Sequence, residues 1–414
     1  MYKWSETELA IQQAVRQFID AEIRPIREDL EFGDLPPYEV VRELWKTFGL
    51  DVMAADFVDK QLAQERARHD GAAAASASAK QDSPVGFASM ATGFVLNAEL
   101  ARVSPGIVTA IGASIGLAAN TIMSRGSLEQ KQRWLKPLLS FEKVGAWGLT
   151  EPSSGSDAFS AMKSTVRPDG EGFRLNGQKT FITNAPYADT IVVFAKLDDG
   201  VTRARGRKIV AFVLDSGMRG FTQGRPFRKM GCHSSPTGEL WFDDVYLEPD
   251  RQLGDARDVS GADEKSGAKT VFVAERYGVA AVGLGIIEEC IEQCIRYSKE
   301  RVQFGKAIAD YQLIQLKLAR MEIARSNVAN SLFRAVEMTA DGEQPTLAEA
   351  SAAKLYASEA ALQVALDAVQ LFGGNGYMSE YPVEQLARDA KVLAIYSGSN
   401  EIQTTQIAYD LLGR

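Results

Sequence analysis

Residues 173–182 read FRLNGQKTFI, and three runs of the same kind follow: TIVVFAKL at 190–197, KIVAFVLD at 208–215 and ELWFDDVYL at 239–247. Each is short, apolar or alternating, rich in β-branched and aromatic residues, and punctuated by Gly and Asn, which is the pattern of strands. Asn176-Gly177 predicts a two-residue hairpin turn, because both central residues of that turn need positive φ. The middle of the chain, 146–255, is therefore expected to be a β domain.

Outward from it the pattern becomes helical on both sides. Toward the N-terminus, Ser5 and Glu8 form a capping-box pair, and Leu9, Ala14, Val15, Phe18 and Ile19 recur at helical spacing. Residues 1–145 are expected to be a helical domain, interrupted at about 64–85 by an Ala/Ser-rich insertion, HDGAAAASASAKQDSP, that has no apolar face to bury and reads as a mobile or surface loop. Beyond it, GDARDVSGADEKSGAK at 254–269 reads as a polar separator. From 268 to 414 the sequence is rich in Ala, Leu, Ile and Glu, broken at Gly305, Asp341-Gly342, Gly373-Gly374 and Pro382, so a bundle of long helices is expected. The predicted class is α+β: an N-terminal helical domain, a middle β-barrel-like domain and a C-terminal four-helix bundle.

Composition narrows the function. The chain has 414 residues, 45% hydrophobic and 24% charged, with a mean hydropathy of −0.14, inside the range of globular proteins. No uninterrupted apolar run approaches the roughly 18 residues of a transmembrane helix, and no signal peptide is read at the N-terminus. A cytoplasmic location without a membrane span is the expectation. The net charge of −8 disfavours a nucleic-acid partner, which needs a surplus of Lys and Arg along one face. Cys232, Cys290 and Cys294 lack the ligand clusters of a zinc site and read as buried free thiols. With only His69 and His233 available, a carboxylate is the economical expectation for a general base.

Four strings could carry chemistry. WGLTEPSSGSDAFS (147–160) gives way from a strand to a loop dense in hydroxyls and backbone N–H groups. KTFITNAPYAD (179–189) sets Phe181 and Thr183 on one face of a strand. RVQFGKAIADYQ (301–312) offers the fixed donor fork of Arg301 beside the apolar platform of Phe304. QLFGGNGY (370–377) carries three glycines after a helix, which let backbone amides approach a ligand.

Taken with AAKLYASEAA (352–361), with RKMGCHSSPTGELWFDDVYLEP (228–249) and with YPVEQLARDAKVLAIYSGSNEIQ (381–403), these strings resemble the acyl-CoA dehydrogenase family over nearly the whole chain. The resemblance implies FAD as cofactor and an acyl-CoA thioester as substrate. It implies flavin contacts at Leu149, Thr150, Gly155, Ser156, Phe181, Thr183, Arg301, Phe304, Gln312, Gln370, Gly373, Gly374, Ser399 and Glu401. It also implies substrate contacts at Ser156, Ser235 and Arg276. In the family the GGNG segment reaches the FAD of a neighbouring subunit, so a homotetramer built as a dimer of dimers is implied, with an electron-transfer flavoprotein as acceptor.

The base follows from a substitution. Many family members place a carboxylate directly after the Ile-Tyr of the C-terminal motif, where this chain has Ser397. A smaller branch, including isovaleryl-type and long-chain-type enzymes, places it on the first helix of the C-terminal domain, where this chain has Glu275 in VFVAERYGVAAVG. A Glu-Arg pair on a helix is ordinarily a solvated pair; the missing acid at Ser397 reverses that reading. Glu275 is expected to be the base, its pKa raised by burial, and the Ser397 backbone N–H a donor to the thioester oxygen. After NEIQ the family commonly has Arg, whereas this chain has Thr404. An acyl-CoA oxidase, a flavin monooxygenase or a non-catalytic flavoprotein subunit on the same fold are the alternatives, and the acyl group is left open.

Overall fold

The computed structural model describes residues 4–69, 89–202, 206–254 and 263–413. The N-terminal helices are α1 (Glu6–Phe18), α2 (Arg27–Phe32), α3 (Tyr38–Thr47), α4 (Leu50–His69), α5 (Met90–Ala101), α6 (Pro105–Ile111), α7 (Asn120–Arg125) and α8 (Leu128–Leu139). The Ser5–Glu8 capping box is present at α1. Val15, Phe18 and Ile19 are buried as the spacing predicts, while Leu9 is exposed. The expected loop at 64–85 begins as helix, because α4 continues to His69; the rest of that segment lies outside the described residues.

From Pro105 to Arg125 the backbone is helical throughout, with a mean hydropathy of 1.6 and most of its apolar window inside the protein. Length and composition would let this helix cross a bilayer, but its faces are occupied: Ile107, Ala110, Ala118, Ala119 and Ile122 are buried in the main core. Thr109, Ser114, Asn120 and Thr121 interrupt the run, and Ser114 Oγ accepts the Gly145 N–H at 2.8 Å. It is a core helix of the kind that satisfies the same length test.

The middle of the chain forms one eight-stranded sheet from β1 (Gly145–Gly148), β2 (Thr165–Asp169), β3 (Gly172–Thr183), β4 (Thr190–Leu197), β5 (Ile209–Asp215), β6 (Phe221–Gln223), β7 (Thr237–Leu247) and β8 (Gln252–Leu253). The order is β6-β7-β3-β2-β4-β5-β8, with β1 added in parallel to β4. The path ends on β6 and β8, so its ladder is open. Burial explains why the strands look different in sequence. On β4, Ile191, Val193 and Ala195 face the sheet's own core while Val192 and Phe194 join the helical core. A strand buried on both faces reads as a continuous apolar run. On β7, Leu240, Phe242, Val245 and Leu247 are buried while Trp241, Asp243, Asp244 and Tyr246 are exposed, so ELWFDDVYL alternates.

Asn176-Gly177 is not a hairpin turn. β3 runs straight through it, and the register against β7 shifts between Leu175 and Gly177, the mark of a bulge. Gly177 has φ 144°, and a Cβ there would sit 2.4 Å from Ser164 Oγ and 2.7 Å from Ser164 Cα. The β2–β3 hairpin instead closes at Gly170-Glu171, between the paired residues Asp169 and Gly172, with φ 62° at Gly170. Glycine at the first central position suits a II′ turn.

The C-terminal bundle comprises α9 (Asp263–Glu300), α10 (Gln312–Ala340), α11 (Leu347–Phe372), α12 (Pro382–Val392) and α13 (Asn400–Leu411), with a short hairpin of β9 (Val302–Gln303) and β10 (Lys306–Ala307) after α9. The polar stretch expected to separate the domains is partly helix, since α9 begins at Asp263; residues 255–262 lie outside the described ones. α9 lies between α5 and α11 at short range. A Cβ on Gly285 would meet Ala98 O at 2.0 Å, and one on Gly283 would meet Ala357 O at 3.1 Å. The facing side of α11 is lined by Ala353, Ala357, Ala361 and Ala365.

The two glycines of β3 and its turn make a direct test. Gly177→Ala drives a Cβ into the Ser164 backbone and should cost about 2–4 kcal/mol, whereas Gly170→Ala meets nothing within 4 Å and should cost only about 1 kcal/mol for its positive φ. Thermal denaturation of both variants reads the order; were Asn176-Gly177 the hairpin turn, no such clash would exist and the order would not hold.

Candidate active site

Glu275 lies in the first half of α9, and its carboxylate meets the loop between α12 and α13. Ser397 Oγ donates to Glu275 Oε1 at 2.8 Å. Burial raises the Glu275 pKa above the usual glutamate range, against the Ser397 hydrogen bond and the charges of Arg276 and Lys354. The residue carrying the acid and the residue standing where an acid was missing are thus hydrogen-bonded neighbours.

The loop that presents Ser397 is held by two side chains. Ser397 (φ 55°) and Gly398 (φ 79°) both adopt left-handed backbone. Gln403 Nε2 donates to Ser397 O at 3.0 Å and to Gly398 O at 2.8 Å. Lys354 Nζ, on α11, donates to Gly398 O at 2.8 Å and to Asn400 Oδ1 at 3.0 Å. The Lys354 side chain is fully buried, and burial, then the neighbouring Arg276 charge, push its amine down to about 8. Among the described residues the Ser397 N–H has no acceptor. Arg276, expected at the substrate, is buried and turned into α11: its Nη1 donates to Ser351 Oγ at 2.7 Å and to Leu347 O at 3.3 Å, while its Nε has no partner.

A second network fixes the loop after β1. Lys179, on β3, is completely buried against Glu151, with Nζ to Oε1 at 2.8 Å. Glu151 also accepts the Lys163 N–H at 2.6 Å and the Ser164 N–H at 2.8 Å. Burial alone would raise this carboxyl; the Lys179 ammonium and the two N–H groups outweigh it and hold the pKa below the ordinary range. Lys179 Nζ further donates to Leu149 O at 3.1 Å, and the Thr180 N–H to Thr150 O at 3.0 Å. Leu149 is thereby buried, while Gly155 and Ser156 are exposed and the buried Ser154 hydroxyl has no partner among the described residues.

Phe181 stands at φ 57° on a second bulge of β3. Its ring is 69% exposed, 5.9 Å from the Phe227 ring centroid, and Thr183 is half-buried. A bulky residue at positive φ is costly, and the strain leaves an aromatic face uncovered. Next to it, Asn184 ties three segments together: Nδ2 donates to Ala110 O at 2.9 Å and Gly145 O at 2.8 Å, and Oδ1 accepts from Tyr38. Ser235 is buried with an unpartnered hydroxyl. His233 makes hydrogen bonds to Glu31 O and Lys229 O.

Most of the remaining candidates lie at the other end of α9, while Ser399 and Glu401 follow Ser397 at the Glu275 end. Glu275 and Arg301 are 26 residues apart in sequence, nearly all of it one helix, which spans about 39 Å at 1.5 Å per residue. There the β9–β10 turn puts Phe304 (φ 52°) and Gly305 (φ 83°) in left-handed backbone, and the Phe304 ring is 96% exposed. Arg301, Gln312, Gln370, Gly373 and Gly374 are also exposed. Ser399 is the N-cap residue of α13, and its hydrogen bond holds the exposed Glu401 carboxyl below its ordinary value. Sequence reasoning missed Lys354, Gln403, Lys179, Glu151 and Asn184. A lysine inside the Ala-rich string AAKLYASEAA was the one available signal, since an isolated cation on an apolar helix face must find acceptors.

Comparison with known proteins gives the family. Family models match the acyl-CoA dehydrogenase N-terminal domain at 50–142, the middle domain at 146–245 and the C-terminal domain at 266–412. The chain is 40% identical over 309 residues to a short-chain-specific acyl-CoA dehydrogenase of Megasphaera elsdenii, covering 74% of this chain and 77% of that one. It is 36% identical over 316 residues to the caffeyl-CoA reductase-Etf complex subunit CarC of Acetobacterium woodii, covering 76% and 80%. The structure of butyryl-CoA dehydrogenase from Megasphaera elsdenii superposes with a TM-score of 0.83 at 31% identity, covering all of both chains.

Replacing Lys179 by Met strands the Glu151 carboxylate in the interior and should cost about 3 kcal/mol at neutral pH. Because Glu151 is held below its ordinary value, the pair's contribution is complete above the unfolded pKa and is lost as pH falls through the folded one. The deficit of the variant should therefore shrink on acidification, which a series of melting curves from pH 7 down past the ordinary carboxylate range would show; a deficit unchanged across the whole series would contradict the ionised pair.

Proposed function

The chain belongs to the acyl-CoA dehydrogenase family, and on that footing we propose that Glu275 removes the α-proton of an acyl-CoA thioester during FAD-dependent α,β-dehydrogenation. The observation that carries the assignment is the contact of Glu275 with Ser397: the helix supplies a carboxylate at the place where the loop supplies none. A pKa raised by burial suits a base that must be strong enough to take a carbon-bound proton and still be ionised at working pH.

FAD, the family's cofactor, accepts the β-hydride when bound. The chain's residues fit such a group. The exposed ring of Phe181 offers an apolar platform, and the hydroxyls of Thr150, Ser156 and Thr183 with the backbone of Leu149 and Gly155 offer the polar edge. The Ser397 N–H, free of an internal acceptor, would donate to the thioester oxygen as negative charge builds there, a role a main-chain group keeps whatever side chain it bears. Ser235, with its unpartnered hydroxyl, would complete the substrate side; Arg276, bonded to Leu347 O and Ser351 Oγ, would reach it only by leaving those partners.

The distance along α9 supports a homotetramer built as a dimer of dimers. Arg301, Phe304, Gln312, Gln370, Gly373 and Gly374 lie too far from Glu275 to serve the same flavin ring, so they would reach a neighbouring copy, whereas Ser399 and Glu401, which follow Ser397 at the Glu275 end, would approach the adenosine half of FAD. Phe304 in full exposure is an apolar surface that a partner would cover. An electron-transfer flavoprotein is the proposed acceptor, supported by the relative that works as a subunit of an Etf complex. The proposed location is cytoplasmic, supported by three free, buried cysteines.

Glu275→Gln should lower kcat for acyl-CoA by about 10³-fold while the flavin absorbance of the purified variant stays at that of the parent. Anaerobic bleaching across short, branched, long and ring-bearing acyl-CoAs reads both, and full turnover in the variant would move the base elsewhere. Phe304→Asp should dissociate the assembly, seen as a drop in mass by light scattering; an unchanged mass would remove Phe304 from the interface.

A further inference from the structure

We propose that Ser397 is a positioning residue for the base, its hydroxyl anchoring Glu275 through Oε1 so that Oε2 is the oxygen left to take the substrate proton. This rests on Glu275 being the base. The α C–H bond breaks, its electron pair stays on the acyl carbon, and the proton forms an O–H bond at Oε2.

Three observations converge on the hydroxyl. It is the hydrogen bond found on the Glu275 carboxylate among the described residues. Two cations lie near, but neither is given to the carboxylate: Arg276 donates to Leu347 O and Ser351 Oγ, and Lys354 to Gly398 O and Asn400 Oδ1. Both act on Glu275 only through their fields. The charged and titratable groups facing it are Arg276 on its own helix, Lys354 from α11 and Tyr396 from the loop, with Glu401 of α13 acting on Lys354.

The second observation is strain. Ser397 adopts φ 55°, a region where glycine carries no steric cost and serine does. A side chain kept at such a site has a use there, and the use visible is the donor to Glu275. The third is rigidity: Gln403 holds the carbonyls of Ser397 and Gly398, and Lys354 that of Gly398, so the hydroxyl is set in place before substrate arrives. A hydrogen bond to the ionised form favours that form, offsetting part of what burial does to the same carboxyl.

Loss of the hydroxyl should raise the pKa of the base, so catalysis in Ser397→Ala needs a higher pH. The acid limb of kcat/KM should move up by about one to two pH units, the size expected for one hydrogen bond to a charged group. Infrared difference titration, with Glu275→Gln as the blank that identifies the carboxyl band, should show the same shift without turnover. Ser397→Gly removes the hydroxyl and the strain together. It should shift the profile equally while melting higher than the parent, which a merely structural role would not produce, and it covers the case in which the alanine variant folds poorly. An acid limb and carboxyl band unmoved in both variants, with Glu275→Gln inactive, would overturn this inference alone. Full activity in Glu275→Gln would instead overturn the base assignment beneath it.

Discussion

The close packing of α9 against α5 on one side and α11 on the other is the constraint from which the site follows. Helix axes approach this closely only where small residues face each other, and here Gly285 admits the Ala98 carbonyl while Gly283 lies on Ala357. A long helix clamped in this way cannot shift along its axis without clashing. Glu275 in its first half and Arg301 just past its C-terminal end are therefore fixed relative to both helical regions and to each other. One helix thus links a half-buried acid to an exposed turn about 39 Å away.

In the proposed mechanism the base sits on a helix and the oxyanion donor on a loop, which divides two requirements between two kinds of backbone. A side chain on a clamped helix keeps its direction, whereas a donor N–H with no helical or strand acceptor must come from irregular backbone, where Ser397 and Gly398 take left-handed dihedrals. Irregular backbone is rigid only if its carbonyls are satisfied. Lys354 and Gln403 meet that need, and Lys354 does so from the middle of α11 with a charge buried among alanines. Its depressed pKa shows how strongly burial works against that charge.

Most of the architecture was legible because it rests on periodicity. The two-faced burial of β4 produces an apolar run and the one-faced burial of β7 an alternating one, and both were readable as strands. The breaks in the C-terminal bundle fell at glycine and proline, whose backbone limits are local. What misled was Asn176-Gly177: the pair signals positive φ, and a bulge uses positive φ as readily as a hairpin does. Only the position of Ser164, packed where a Cβ would stand, separates the two, and that is tertiary information.

The proposed site was reached by a different route. Neither Glu275 nor Ser397 stands out by local pattern; their meaning came from reading two distant positions together, one lacking an acid and one bearing it. The contact between them at 2.8 Å gives that reading a physical basis, since exchanging a loop carboxylate for a helical one leaves room at the loop for a small donor. A larger side chain at 397 would compete with Glu275 for the same space. The residues that sequence missed, Lys179, Glu151, Lys354, Gln403 and Asn184, all act on backbone groups brought near by folding. Such partners have no spacing to detect. A buried polar side chain announces only that a partner exists, and which carbonyl it serves is decided by the packing of α9, α11 and the sheet around it.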